Sequence, residues 1–223
     1  MIRKALAFAQ MIWRTYILRD EVAVALSNWF KHGGDETLRL EYPLTAASVV
    51  FDVGGYMGDW SDQIARRYSP HIFIFEPVPE YYSAIKKRFF SNEKIKVHNY
   101  GLSDKTEMRF ISVLEDGSSL FRDGSNRTEI ALVDIFEYLA KQNIQWIDLI
   151  KLNIEGGEYP LLTRMINTDI VEKCRDIQIQ FHNCVPDAEA MRLHIRNALS
   201  RTHFLTYDYP FVWENWRRKK QPQ

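Results

Sequence analysis

From Ser48 onward, short runs of apolar residues alternate with segments of helical spacing, and this alternation constrains the chain more than any other feature. SVVFDV precedes the helix-like GDWSDQIARRY, and HIFIFEP precedes EYYSAIKKRFF. KVHNYGL reads as a third strand, and MRFISV with SSLF as an inserted β-hairpin. IALVDIFEYLAKQN starts extended and turns helical, IDLIKLNIE and IQIQFH are further buried strands, and AEAMRLHIRNALS is a helix. Strands that are apolar throughout are buried on both faces, and helices between them imply parallel pairing. Right-handed crossovers then give an α/β fold: a doubly wound, Rossmann-like, mostly parallel sheet.

The two ends of the chain read differently. Leu6, Ala9, Trp13, Tyr16 and Ile17 recur at helical spacing, as do Val22, Leu26, Trp29 and Phe30, with a stop at Gly33-Gly34. Residues 1–40 are therefore expected to form an N-terminal helical extension, and 41–223 the main domain. The extension is expected to pack on that domain or on a second subunit as a homo-oligomer. A weak peripheral membrane contact through residues 1–30 is the sharper alternative. At the other end, FLTYDYPFVWENW alternates with a period of two, so it reads as a half-buried strand or ribbon with a turn at Pro210. RRKKQPQ reads as a solvated, frayed tail.

Composition narrows the function classes. Lys+Arg and Asp+Glu both number 29, for a formal net charge of zero, whereas nucleic-acid carriers usually show a basic surplus. No nucleic-acid partner is expected. Two cysteines, Cys174 and Cys184, are too few for a disulfide framework or a four-ligand zinc site, and read as packing residues of a cytoplasmic protein. The opening twenty residues have the outline of a signal peptide, but Gln10 interrupts the apolar run and no small-residue cleavage site follows.

FDVGGYMGDW, residues 51–60, is a glycine-rich loop at a strand end. A dinucleotide fingerprint beginning at Gly54 needs glycine where Tyr56 and Asp59 stand, and one beginning at Gly55 needs it where Met57 and Trp60 stand. Both registers fail. Asp52 at the strand end suits a cationic ligand better than a pyrophosphate, and Glu76 ends the next strand, where a carboxylate can accept hydrogen bonds from both ribose hydroxyls. A nucleoside with a cationic amino-acid arm, S-adenosylmethionine, answers to both.

With VVFDVGGYMGDW, IFIFEPVPE, NYGLSDKTE, the SSL at 118–120 and above all IDLIKLNIEGGEYPLL, the chain resembles the FkbM family of class I methyltransferases over residues 48–183. Lys151, Glu155, Gly156 and Glu158 match the family's K-x-D-x-E-G-x-E motif, whereas Asn153 stands where the family usually has aspartate. The resemblance implies a seven-stranded sheet with one antiparallel strand and methyl transfer from S-adenosylmethionine, usually to a hydroxyl oxygen. Many relatives are associated with sugars, polysaccharides or natural products, so the implied acceptor is a small-molecule or glycan hydroxyl. By the same analogy Asp52, Gly54, Gly55 and Gly58 form the methionine-side loop, Glu76 holds the ribose, and Val78, Leu102 and Ser103 flank the adenine.

An alcohol acceptor must lose its proton to a base within hydrogen-bond reach. Asn153, Glu155 and Glu158 lie just past a strand at the edge where open α/β sheets bind ligands, and His182 ends the next strand at the same rim. Asn153 is read as a cofactor contact, Glu155 as the first choice of proton acceptor, His182 as the second, and Glu158 as an orienting residue or helix-entry charge. Replacing a hard anionic ligand by Asn153 argues against a magnesium or calcium site, so no metal is expected. Tyr207, Tyr209, Trp213 and Trp216 are read as core before sugar platform, and Arg122 and Arg127 as phosphate-greeting residues or plain surface. Methyl transfer to nitrogen or nucleic acid, and a cofactor-binding module that has lapsed at Asn153, are the alternatives.

Overall fold

The computed structural model describes residues 20–114, 117–119 and 127–220. In chain order its elements are α1 (Glu21–Lys31), β1 (Val49–Val53), α2 (Asp59–Tyr68), β2 (His71–Phe75), α3 (Pro79–Arg88), β3 (Ile95–His98), β4 (Gly101–Ser103), β5 (Glu107–Leu114) and β6 (Gly117–Ser119). There follow β7 (Arg127–Asp134), α4 (Ile135–Gln142), β8 (Ile147–Leu152), α5 (Glu158–Asn167), β9 (Cys174–Ile179), α6 (Ala188–Leu199), β10 (His203–Tyr209) and β11 (Trp213–Arg218).

The main sheet has seven strands in the order β10-β11-β9-β8-β1-β2-β3. Parallel pairing runs from β3 to β9, and β11 is antiparallel to both of its neighbours. This is the expected doubly wound α/β architecture with one reversed strand. Alternate side chains of each central strand feed opposite faces. Phe51, Val53, Ile150 and Leu152 pack towards α4, α5 and α6, while Val50, Ile72, Ile74 and Leu149 pack with Trp60 and Ile64 of α2 and Ile85 of α3. Leu40, Tyr42 and Leu44 join this second layer.

Local chemistry sets the helix starts. Asp20 caps α1 by accepting a hydrogen bond from the Ala23 amide, and the Asp134 side chain caps α4 through the Phe136 amide. In α2, Asp59 and Asp62 sit at the positive end and Arg66 and Arg67 at the negative end.

Several expectations need correction. KVHNYGL is not one strand: β3 ends at His98, and Gly101–Ser103 joins a second sheet ordered β4-β7-β5-β6. The Asn99 side chain donates to the carbonyls of Glu76 and Pro77, which bends the chain out of the first sheet. The expected β5–β6 hairpin is present as two strands of that second sheet. RRKK is not a frayed tail through its first half, because β11 runs to Arg218 and the Arg217 guanidinium donates to buried Asp176 at 2.8 Å. In α1, Trp29 is buried beneath Tyr207 and Tyr209, but Phe30 faces outward at 61% exposure. Trp213 and Trp216 are core residues, as is Cys174. Residues 1–19, with the first expected helix, and Arg122 lie outside the described residues.

Candidate active site

At the carboxyl ends of β1, β2 and β8 the central sheet opens into a cleft of about 210 Å³. Gly54, Glu76, Val78, Leu102, Ser103, Asn153 and Glu155 all line it, so seven of the residues singled out in the sequence converge on one cavity. Asp52, Gly55, Gly58, Glu158 and His182 do not line it.

The glycine loop departs sharply from β1. Gly54 adopts φ +85°, and a Cβ there would lie 2.0 Å from the Asn153 carbonyl oxygen, so the backbones after β1 and β8 meet only without a side chain. At Gly55 a Cβ would strike Ile74 and Ile85, so this position serves loop-to-core packing instead.

Asp52 stands behind the glycine loop rather than in the cleft wall. Its carboxylate is fully buried and takes the Lys151 ammonium at 2.8 Å on one oxygen and the Ser61 hydroxyl at 2.6 Å on the other. The Lys151 ammonium also donates to the Gly54 carbonyl at 2.6 Å. Asp52 and Lys151 are register partners on β1 and β8, so this ion pair ties the two strands together directly beneath the loop. A buried charge needs such a partner, because leaving it alone in a low-dielectric interior is strongly unfavourable.

Glu76 lies in the cleft wall with 5% exposure. Its two oxygens accept from the Val78 amide at 3.0 Å and the Tyr56 amide at 2.8 Å. Burial pushes its carboxyl up to about 7, against the lowering effect of those two amides and of Lys151. Each carboxylate oxygen keeps acceptor capacity beyond one amide bond, which is the capacity a vicinal diol requires.

Past β8, the chain turns through Glu155, whose φ of +51° is unusual for a residue with a Cβ. Glu155 Oε1 lies 3.3 Å from His182 Nε2, and His182 Nδ1 lies 2.9 Å from Glu158 Oε1. Glu158 is fully buried and also accepts from the amides of Ile154 and Gly156, at 2.6 and 2.8 Å. It orients the turn from behind the cleft wall. Both ring nitrogens of His182 face carboxylates. Burial lowers the imidazole pKa, but the hydrogen bonds and charges of Glu155 and Glu158 outweigh it and raise the ring to about 10. A histidine already protonated at neutral pH accepts no further proton.

The sequence reading missed part of the lining. Tyr56, Pro77 and Tyr81 complete one side, and Ile111, Ile130 and Leu132 form an apolar wall from the second sheet. The signal for that wall was the period-two pattern of RTEIALVD, whose Ile130, Leu132 and Asp134 are buried. Tyr56 and Tyr81 meet edge to face with centroids 4.7 Å apart. Arg127, at the start of β7, does not line the cleft.

Comparison with known proteins bears on the fold and the family. Among solved structures, the fibrillarin pre-rRNA processing protein of Methanococcus jannaschii superposes with a TM-score of 0.50 at 12% identity, over 81% of this chain and 70% of its own. The METTL16 methyltransferase domain gives 0.48 at 13%, over 78% and 61%. M. capricolum TrmK, in complex with its cofactor product S-adenosyl-homocysteine, gives 0.47 at 12%, over 80% and 65%. The chain thus spans about two thirds of the length of each, and at these identities the likeness is one of fold. No curated protein matches the sequence. The methyltransferase FkbM domain, in contrast, matches residues 52–204, from the buried aspartate of β1 into β10. The chain belongs to the FkbM methyltransferase family, and on that membership S-adenosylmethionine is its cofactor.

Proposed function

We propose that this protein methylates a hydroxyl oxygen on a sugar, a polysaccharide precursor or a related natural product, without a metal ion. S-adenosylmethionine supplies a methyl group activated on a sulfonium centre. In this reading Glu76 accepts the ribose hydroxyls, Val78, Leu102 and the apolar wall of Ile111, Ile130 and Leu132 bracket the base, and Ser103 borders it. Gly54 and Asn153 border the amino-acid arm. Asp52 braces the loop through Lys151 and takes no direct part.

Glu155 takes the hydroxyl proton. It sits on the cleft wall, three residues beyond the end of β8 and two beyond Asn153. The observation that carries the choice of acceptor is the charge of this wall. Among the described lining residues there are two carboxylates, Glu76 and Glu155, and no lysine or arginine. A phosphate-bearing acceptor is usually met by cationic side chains, whereas neutral hydroxyls suit carboxylates, tyrosines and an amide. The carboxamide of Asn153 is a poorer ligand for a hard divalent cation than a carboxylate, which supports metal-independent transfer.

The test supplies the protein with isotopically labelled methyl donor and separate glycan, metabolite, RNA and protein fractions, and follows the label by mass spectrometry. One methyl gained on a hydroxylated glycan or metabolite supports the proposal. Label confined to RNA or protein rejects this acceptor class, and cofactor binding without transfer to any fraction favours a lapsed module.

A further inference from the structure

We propose that His182 is a positioning residue: a permanently charged imidazolium, clamped by Glu158, that holds Glu155 ionised and aimed into the cleft. This rests on the reading of Glu155 as proton acceptor and assigns the machinery behind it. The argument begins with geometry. Nδ1 lies 2.9 Å from Glu158 and Nε2 lies 3.3 Å from Glu155. A carboxylate only accepts, so a ring that bonds to one carboxylate at each nitrogen must carry a proton on both.

Both the ring's backbone and its anchor are tied down by hydrogen bonds. Glu158 is fixed by the Ile154 and Gly156 amides, and the Tyr159 hydroxyl donates to the His182 carbonyl at 2.7 Å. Phe181, the preceding residue, is 1% exposed and packs on Tyr159. The groups that face this site are Glu155 on the turn after β8, Glu158 and Tyr159 on α5, Cys184 beyond β9, and Arg192 of α6 over the Phe181 ring. Glu155 and Glu158 are the two carboxylates within reach of the ring, and they raise its pKa to about 10 against the effect of burial.

An opposite charge this close favours the ionised carboxylate, the form that accepts a proton. The positive φ at Glu155 gives the backbone turn that this contact secures.

Two measurements test the proposal. The first is nitrogen NMR of the protein carrying labelled histidine, with His182 identified by comparison with His182→Gln. Both ring nitrogens are expected to remain protonated from about pH 7 to 9, and Glu158→Gln is expected to bring the ring into titration within that window. A wild-type His182 that is singly protonated at pH 7 overturns the proposal. The second is the pH profile of methyl transfer in His182→Gln, with S-adenosylmethionine affinity measured alongside as the check on folding. The acid limb is expected to move up by about one unit or more, a tenfold loss at its foot, while cofactor affinity stays within about twofold. An acid limb that does not move, whatever happens to kcat, overturns it. Should no acceptor be methylated at all, the reading of Glu155 fails and the NMR result alone still decides the charge of His182.

Discussion

Glu76 and His182 both hold a proton to higher pH than usual, which favours a neutral carboxyl in one and a charged ring in the other. For Glu76, burial raises the folded pKa from 4.5 to about 7. The folded state thus gains from the protonated form, a contribution present below about 4.5 and lost as pH rises to about 7. Cofactor binding runs the other way if the diol needs the ionised carboxylate. Calorimetry is expected to show S-adenosylmethionine affinity rising with pH and levelling above about 7, with Glu76→Gln weaker and flat across the range. For His182, the raised pKa contributes stability that is complete below about 6.5 and lost as pH climbs through about 10. Denaturant unfolding from pH 7 to 10 should show that decline, and His182→Gln should reduce it. Glu155→Gln is expected to lower kcat by roughly 10²–10⁴-fold with cofactor affinity nearly unchanged, read by transfer assay and calorimetry. Glu76 and Glu155 were both legible as carboxylates at strand ends. That His182 is clamped was not, because Glu158 reaches it across 24 positions from a helix start whose exact turn no local pattern fixes.

At the scale of elements, β1 and β8 meet through the Asp52–Lys151 pair and through the contact of Gly54 with the Asn153 backbone. Lys151→Met leaves a fully buried carboxylate with the Ser61 hydroxyl alone, and is expected to cost about 3–5 kcal/mol in denaturant unfolding. The double variant Asp52→Asn with Lys151→Met should recover part of that loss, since the uncompensated charge is gone. Gly54→Ala should lose cofactor binding as well as stability, because the loop cannot keep its path with a methyl group 2.0 Å from a carbonyl oxygen. The strands themselves were legible from VVFDV and IDLIKL, whose apolar runs admit few readings. Their pairing was not. Asp52 looked like a ligand because its partner lies 99 residues away, and only the register of β1 against β8 brings Lys151 beside it. A buried acid and a buried base in neighbouring apolar strands were the available signal.

Across the whole molecule, the doubly wound sheet supplies the cleft floor and the second sheet supplies its apolar wall. The alternation of strands and helices announced the first. The second was split in the sequence between NYGL and RTEIALVD, and the bend at Asn99 that carries the chain from the first sheet into it depends on side-chain bonds to the Glu76 and Pro77 carbonyls. Far from the cleft, Trp29 of α1 packs against the β10–β11 hairpin, which Arg192 and Arg196 of α6 pin through Asp208 and Glu214. Trp29→Ala is expected to cost about 3–5 kcal/mol of stability while S-adenosylmethionine affinity in the remaining folded protein holds, which separates this packing from the site. Among the described residues no helix is long and apolar enough to cross a membrane. The most direct test of the central claim is a crystal structure with S-adenosylhomocysteine bound. The expected result has the ribose hydroxyls on Glu76, the adenine between Val78 and Leu102, and Glu155 facing the acceptor side. A nucleoside bound elsewhere, with the Glu76 carboxylate untouched, contradicts it.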